Sequence, residues 1–155
     1  MGVSGTGKTT VGRALADAIC ARFVDADDLH SAANVDRMRR GIPLTDEDRE
    51  PWLGALRETV DRALAEPGVT VLACSALTAR SRQRLGVERE GVRLVFLRGS
   101  TDLIELRMRG RRHFMRPELL ASQLSTLEPP AEALELDVAM PVDVLVERIR
   151  SELGV

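Results

Sequence analysis

Residues Gly2-Val3-Ser4-Gly5-Thr6-Gly7-Lys8-Thr9 constrain this chain more than any other stretch. They carry the spacing of a phosphate-binding P-loop: a glycine, four residues, then Gly-Lys-Thr. Glycines let the backbone curl until successive N–H groups converge on one anion, and the N-terminus of the next helix faces the same point. Lys8 is placed to reach terminal phosphates, and the Thr9 hydroxyl to sit on a magnesium ion. An ordinary glycine turn before a helix would share the pattern, but two features argue against it. Val11, Ala14, Leu15, Ala18 and Ile19 form an apolar stripe at helical spacing that begins where the loop should end. Lys8 is also the only lysine among 22 Lys+Arg. Arginine serves every other basic position, and a compact ammonium is kept where a planar guanidinium does not substitute equally well.

A P-loop normally follows a strand buried inside a parallel sheet, yet only Met1 precedes Gly2. The first strand is therefore expected to be missing from this chain, with Met1 its last residue. The other expectation is a chain that starts here and is poorly stable.

With 155 residues the chain is read as one domain, 1–155, long enough for a real core. A net charge of −2 provides no basic field for nucleic acid or membrane, and 3 % aromatics leave little surface for base stacking. No apolar run of membrane-spanning length and no signal peptide is present, so a soluble, cytoplasmic protein is expected. Cys20 and Cys74 lack metal-ligand spacing and sit in apolar contexts, which predicts two buried free thiols.

Further along, Arg22-Phe23-Val24-Asp25 reads as a short strand running into Asp25-Ala26-Asp27-Asp28. Residues 30–40 read as a helix with Val35 and Met38 inward. Thr45 to Asp48 looks like a capping box, although Pro51 suits a first turn and would move the regular helix start towards Glu50. Its core stripe is Leu53, Leu56, Val60, Ala63 and Leu64. Apolar runs at 69–74 and 92–97 predict strands buried on both faces. Leu134 to Val138 is a last strand, and Pro141 opens a terminal helix with Val142, Leu145, Val146 and Ile149 inward. Strands alternating with helices predict an α/β fold with a parallel sheet flanked by helices, a three-layer P-loop NTPase.

Switch GTPases and many ATPases carry an Asp at the end of an apolar strand, but the best such strand here ends in Cys74-Ser75. The acidic pair is instead Asp25 and Asp27, after the second expected strand. Either the pair caps a helix and decorates a solvated turn, or it serves a small kinase with a metabolite bound nearby. Arg107, Arg109, Arg111 and Arg112 likewise form either a solvated face or a small lid, over about 107–116, that brings positive charge to a transferring phosphoryl group.

At this point the chain resembles the gluconokinases, small P-loop kinases that phosphorylate D-gluconate with ATP. The resemblance runs almost end to end. Beyond the loop, it rests on Asp25-Ala26-Asp27-Asp28-Leu29-His30 with Asn34 and Met38, and on Gly41 to Arg49 with Pro51-Trp52-Leu53. It continues through Cys74-Ser75-Ala76-Leu77 with Arg82, His113-Phe114-Met115, Leu119-Leu120, Ser122-Gln123 and Leu127-Glu128. The chain departs from the family where Thr78 and Ala79 replace the usual lysine, and where Arg112 abuts His113 without the usual glycine.

The resemblance implies ATP and Mg²⁺ as cofactors and transfer to the 6-hydroxyl of D-gluconate, in the pentose phosphate pathway. Residues Gly2 to Thr9 would bind ATP, with Lys8 on the β- and γ-phosphates and Thr9 and Asp25 on the metal. Asp27 would orient the 6-hydroxyl and take its proton. Arg49 and Arg82 are the candidates for the gluconate carboxylate, His30 is either a sugar-hydroxyl partner or structural, and Arg107 and Arg111 would close over the transferring phosphate. A homodimer is implied. The alternatives are a shikimate-type small-metabolite kinase and a catalytically impaired nucleotide-binding protein.

Overall fold

The computed structural model describes residues 1–109 and 118–155. Among these residues four short strands alternate with helices, as the apolar pattern predicts. They are β1 (Arg22–Asp25), β2 (Thr70–Ala73), β3 (Val95–Arg98) and β4 (Leu134–Asp137). The helices are α1 (Lys8–Ala18), α2 (Ala32–Arg39), α3 (Asp46–Ala65), α4 (Ala79–Leu85), α5 (Thr101–Arg109), α6 (Glu118–Thr126) and α7 (Val142–Leu153). A 3₁₀ turn, Ala26–Leu29, follows β1 directly.

β1 pairs with β2 in parallel, Arg22 opposite Thr70 through Asp25 opposite Ala73. β3 pairs with β4 in parallel, Val95 opposite Leu134 through Arg98 opposite Asp137. Parallel strands need crossovers, and helices on both faces provide them. Alternation within β2 divides the core. Val71 packs with α1 and α7 around Val11, Leu15, Leu145 and Ile149, whereas Leu72 packs with Trp52, Leu53 and Leu56 of α3 and with Leu85 of α4.

The two strand pairs meet at Met1. Its amino group donates to the carbonyl of Val95, its carbonyl accepts from Leu97 N at 2.9 Å, and Gly2 N donates to Ser75 O at 3.3 Å. Met1 thus pairs with β3 as a parallel strand residue does, at the position expected for the last residue of a strand before the loop. Beside Met1, which lines both, two largely apolar cavities lie between β2 and the segment around β3. One is walled by Val11, Leu15 and Ile149, the other by Val60, Leu72 and Leu85.

Three expectations change. The α3 helix starts at Asp46, not near Glu50, because Thr45 and Asp48 complete a reciprocal capping box and Pro51 is accommodated inside the helix. Leu64 of its predicted stripe is 36 % exposed. Cys74 is buried as expected, and burial pushes its thiol up to about 11. Cys20 is exposed: α1 ends at Ala18, and Cys20 follows in the left-handed region at φ 52°.

Candidate active site

The loop from Gly2 to Gly7 leads straight into α1. Two of its glycines are required by what surrounds them. A Cβ on Gly2 would lie 2.5 Å from the Leu97 carbonyl, and one on Gly5 would lie 2.8 Å from Ile104 and Met108 side chains. Both also have positive φ, at 145° and 85°, which side chains rarely adopt. Between them Val3 is buried with Ile104 and Met108 of α5 and Leu120 of α6. The phosphate loop is therefore fixed to the two helices on either side of residues 110–117.

The Lys8 ammonium donates to the Val3 carbonyl at 3.1 Å, and Thr6 Oγ1 donates to the same oxygen at 2.8 Å. Desolvation lowers the Lys8 pKa, opposed by the negative charges of Asp27 and Asp25. A cation held with too little compensating charge is suited to receive an anion.

Asp25, at the C-terminal end of β1, reaches the loop. Its Oδ2 accepts from Thr9 Oγ1 at 2.8 Å, and its Oδ1 accepts from Asp27 N at 3.1 Å. The cap expected of an acidic residue here is thus present, and the same carboxylate also meets the P-loop threonine. Hydroxyl and carboxylate oxygens side by side suit a hard cation that keeps waters and binds phosphate oxygens, as Mg²⁺ does.

Asp27 lines one cavity with Ser4, Lys8, His30, Asp46, Arg49 and Trp52, closed from the other side by Ser75 to Thr78 and by Ser122, Gln123 and Thr126. His30 stacks on Trp52 with ring centroids 4.5 Å apart and planes 7° from parallel. Trp52 is fixed by Nε1 donating to Ala26 O at 2.7 Å. Desolvation, and then the positive charge of Arg49, lowers the His30 pKa to about 4. Its buried Nδ1 has no partner among the described residues. A neutral imidazole lining a polar cavity can exchange hydrogen bonds with hydroxyl groups. Arg49 Nη1 donates to Asp46 Oδ1 at 3.2 Å, and Arg80 Nη1 lies 3.5 Å from Asp46 Oδ2.

The structure brings Lys8, Thr9, Asp25, Asp27, His30 and Arg49 together and places two expected residues elsewhere. Arg82 is 7 % exposed and is not among the cavity-lining residues. Its Nη1 donates to Ala76 O and Leu77 O, each at 3.1 Å, so it braces the loop after β2 rather than offering itself to a substrate carboxylate. That loop needs a brace because Ala76 holds a positive φ of 44°. Arg107 Nη2 donates to Val138 O at 2.7 Å, just past β4 and outside the cavity lining. Arg111 lies outside the described residues, as do most of the expected lid and His113-Phe114.

Sequence reasoning assigned no role to Gln123, Asp46 or Trp52, although all three line the cavity. Their types, an amide, a carboxylate and an indole, are common on helix surfaces and in cores. Only the fold shows which way they face.

Comparison with known proteins shows the family to which the chain is related. Residues 4–135 match the family model described as shikimate kinase. A probable gluconokinase of Dictyostelium discoideum is 39 % identical, over 96 % of this chain and 82 % of the relative. The gluconokinase of Arabidopsis thaliana is 38 % identical, over 96 % and 87 %. The crystal structure of a gluconokinase from Sinorhizobium meliloti 1021 superposes with a TM-score of 0.86 at 42 % identity, covering 99 % of this chain and 89 % of that one.

Proposed function

This chain belongs to the gluconokinases, and on that premise we propose how its own residues carry the γ-phosphoryl group of ATP to the 6-hydroxyl of D-gluconate. The reaction yields 6-phospho-D-gluconate for the pentose phosphate pathway. One observation carries the assignment of roles: Lys8, Asp27, His30 and Arg49, from three separate parts of the chain, line a single cavity.

The loop N–H groups from Gly2 to Thr9 and the Lys8 ammonium bind the β- and γ-phosphates, Lys8 exchanging the Val3 carbonyl for phosphate oxygen. Thr9 and Asp25 hold Mg²⁺, which when bound neutralises charge on the phosphate oxygens. Asp27 accepts a hydrogen bond from the 6-hydroxyl and takes its proton as that oxygen attacks the γ-phosphorus. The bond from the γ-phosphorus to its bridging oxygen breaks, and ADP leaves. Arg49 exchanges Asp46 for the gluconate carboxylate, a stronger partner if the pairing is bidentate. His30, neutral at pH 7, holds a sugar hydroxyl. Arg107 and Arg111 are assigned to the closing of residues 107–116 over the phosphate, Arg107 leaving Val138 to do so. A cytoplasmic homodimer belongs to the same proposal.

The test is ADP release with Mg·ATP and D-gluconate, shikimate, glycerate or AMP. Turnover is expected with gluconate alone, and Asp27→Asn is expected to lower kcat by about 10²–10⁴, the range for a general base, with ATP affinity nearly unchanged. Turnover of shikimate instead, or none by a folded chain that binds ATP, overturns the reading. An unchanged kcat in Asp27→Asn removes the proton-accepting role.

A further inference from the structure

The peptide unit joining Val3 to Ser4 is held at both ends. Its carbonyl accepts from Lys8 Nζ at 3.1 Å and from Thr6 Oγ1 at 2.8 Å. Its N–H donates to Gln123 Oε1 at 2.7 Å, across 119 residues of sequence. Gln123 lies on α6, whose Leu120 packs against Val3 itself. One peptide plane therefore connects the ammonium that meets phosphate to a side-chain amide on the helix after residues 110–117.

A peptide unit is rigid, so turning its N–H turns its carbonyl too. The apolar contact between Val3 and Leu120 is non-directional. The bonds to the Val3 carbonyl, from Thr6 Oγ1, Thr6 N and Lys8, all come from the loop and the first residue of α1, so they cannot tie the plane to α6. On the N–H side of this plane the directional contact comes from Gln123.

We propose that Gln123 is a positioning residue for ATP: by accepting from Ser4 N–H it fixes the Val3–Ser4 peptide plane, and through that plane the location of Lys8. This rests on the reading of Gly2 to Thr9 as the ATP site. Gln123 acts on the phosphate side of the cavity, so its removal falls on ATP more than on gluconate. Because α6 carries it, any displacement of α6 is transmitted to the loop through a named contact.

Two substitutions isolate the contact. Gln123→Met keeps length and shape but removes the acceptor, whereas Gln123→Glu keeps an acceptor for Ser4 N–H. Amide hydrogen exchange of Ser4 in the nucleotide-free chain is expected to speed up in Gln123→Met and to stay slow in Gln123→Glu. In Gln123→Met the KM for ATP should rise about three- to tenfold, the size expected from losing one hydrogen bond, with the KM for gluconate changed less than twofold. Unchanged Ser4 exchange in Gln123→Met overturns the proposal, as does an equal loss for both substrates. Should Gln123→Met not fold, Gln123→Ser withdraws the acceptor by shortening and carries the same readouts. The exchange measurement needs no turnover, so a wild-type chain inactive on gluconate would fail the functional reading without touching this one.

Discussion

Among single residues of the cavity, His30 departs clearly from ordinary behaviour. It stacks on Trp52, and burial, then the positive charge of Arg49, lowers its folded pKa to about 4 against an ordinary 6.5. Between these values the unfolded chain takes up a proton that the folded chain refuses, so stability falls as pH drops from about 6.5 to 4 and is unaffected above that window. His30→Phe keeps a ring to stack on Trp52 but removes the titration. Its denaturant midpoint is expected to depend less steeply on pH between 6.5 and 4 than that of the wild type, measured by urea unfolding at several pH values. Parallel dependences would mean that His30 titrates normally. Lys8 is shifted in the same direction by burial, but phosphate charge is expected to reverse that shift.

Among the elements, α3 depends most visibly on a local signal. Thr45 accepts from Asp48 N at 3.2 Å and Asp48 Oδ2 accepts from Thr45 N at 2.8 Å, so two N-terminal donors are satisfied reciprocally. The helix positions Arg49 in its first turns and Trp52 directly after, and hence the plate on which His30 rests. Thr45→Ala is expected to lower stability by about 1 kcal/mol, the usual value of such a cap, and to raise the KM for gluconate by loosening Arg49. Chemical denaturation together with gluconate kinetics checks both. A stability loss with no change in KM would show that packing of Leu53 and Leu56 alone fixes the helix. The other elements near the site are held by contacts of both long and short range. α6 is tied to the phosphate loop by Gln123, and the loop after β2 is held by Arg82 and by Glu128 N donating to Leu77 O at 2.9 Å.

For the molecule as a whole, the two strand pairs are joined near the loop by Met1 and Gly2, and are otherwise flanked by apolar cavities between β2 and β3. The ATP site proposed for Gly2 to Thr9 sits at that junction, so ligand binding there is expected to stabilise the entire fold. At Mg·ATP a hundredfold above its Kd, linkage contributes about 2.7 kcal/mol. In a domain of this size that raises Tm by about 5–10 °C. Lys8→Ala should lose most of that increase in a thermal-shift measurement. An equal shift in Lys8→Ala would place ATP somewhere other than this loop.

What the chain's letters determined is what depends on short-range physics. The P-loop spacing, the stripe of α1 apart from the exposed Ala18, the strand Arg22–Asp25, the Thr45 cap and the inward face of α7 each need only neighbours within a few residues, and each was legible. The strand-end position of Asp25 suggested a place near a ligand, while its meeting with Thr9 was implied by the family resemblance and is seen in the fold. Tertiary structure alone decided the fate of the arginines. In a chain with 22 Lys+Arg and a single lysine, residue type no longer distinguishes a ligand from a brace. Arg49 faces the cavity, Arg82 turns to the carbonyls of Ala76 and Leu77, and Arg107 turns to Val138. Which of these an arginine does depends on the backbone carbonyls and carboxylates that folding brings within about 3 Å, the distance at which such bonds form. Gln123 meets Ser4 for the same reason, since contacts between residues so far apart in sequence exist only once the sheet and its helices have assembled.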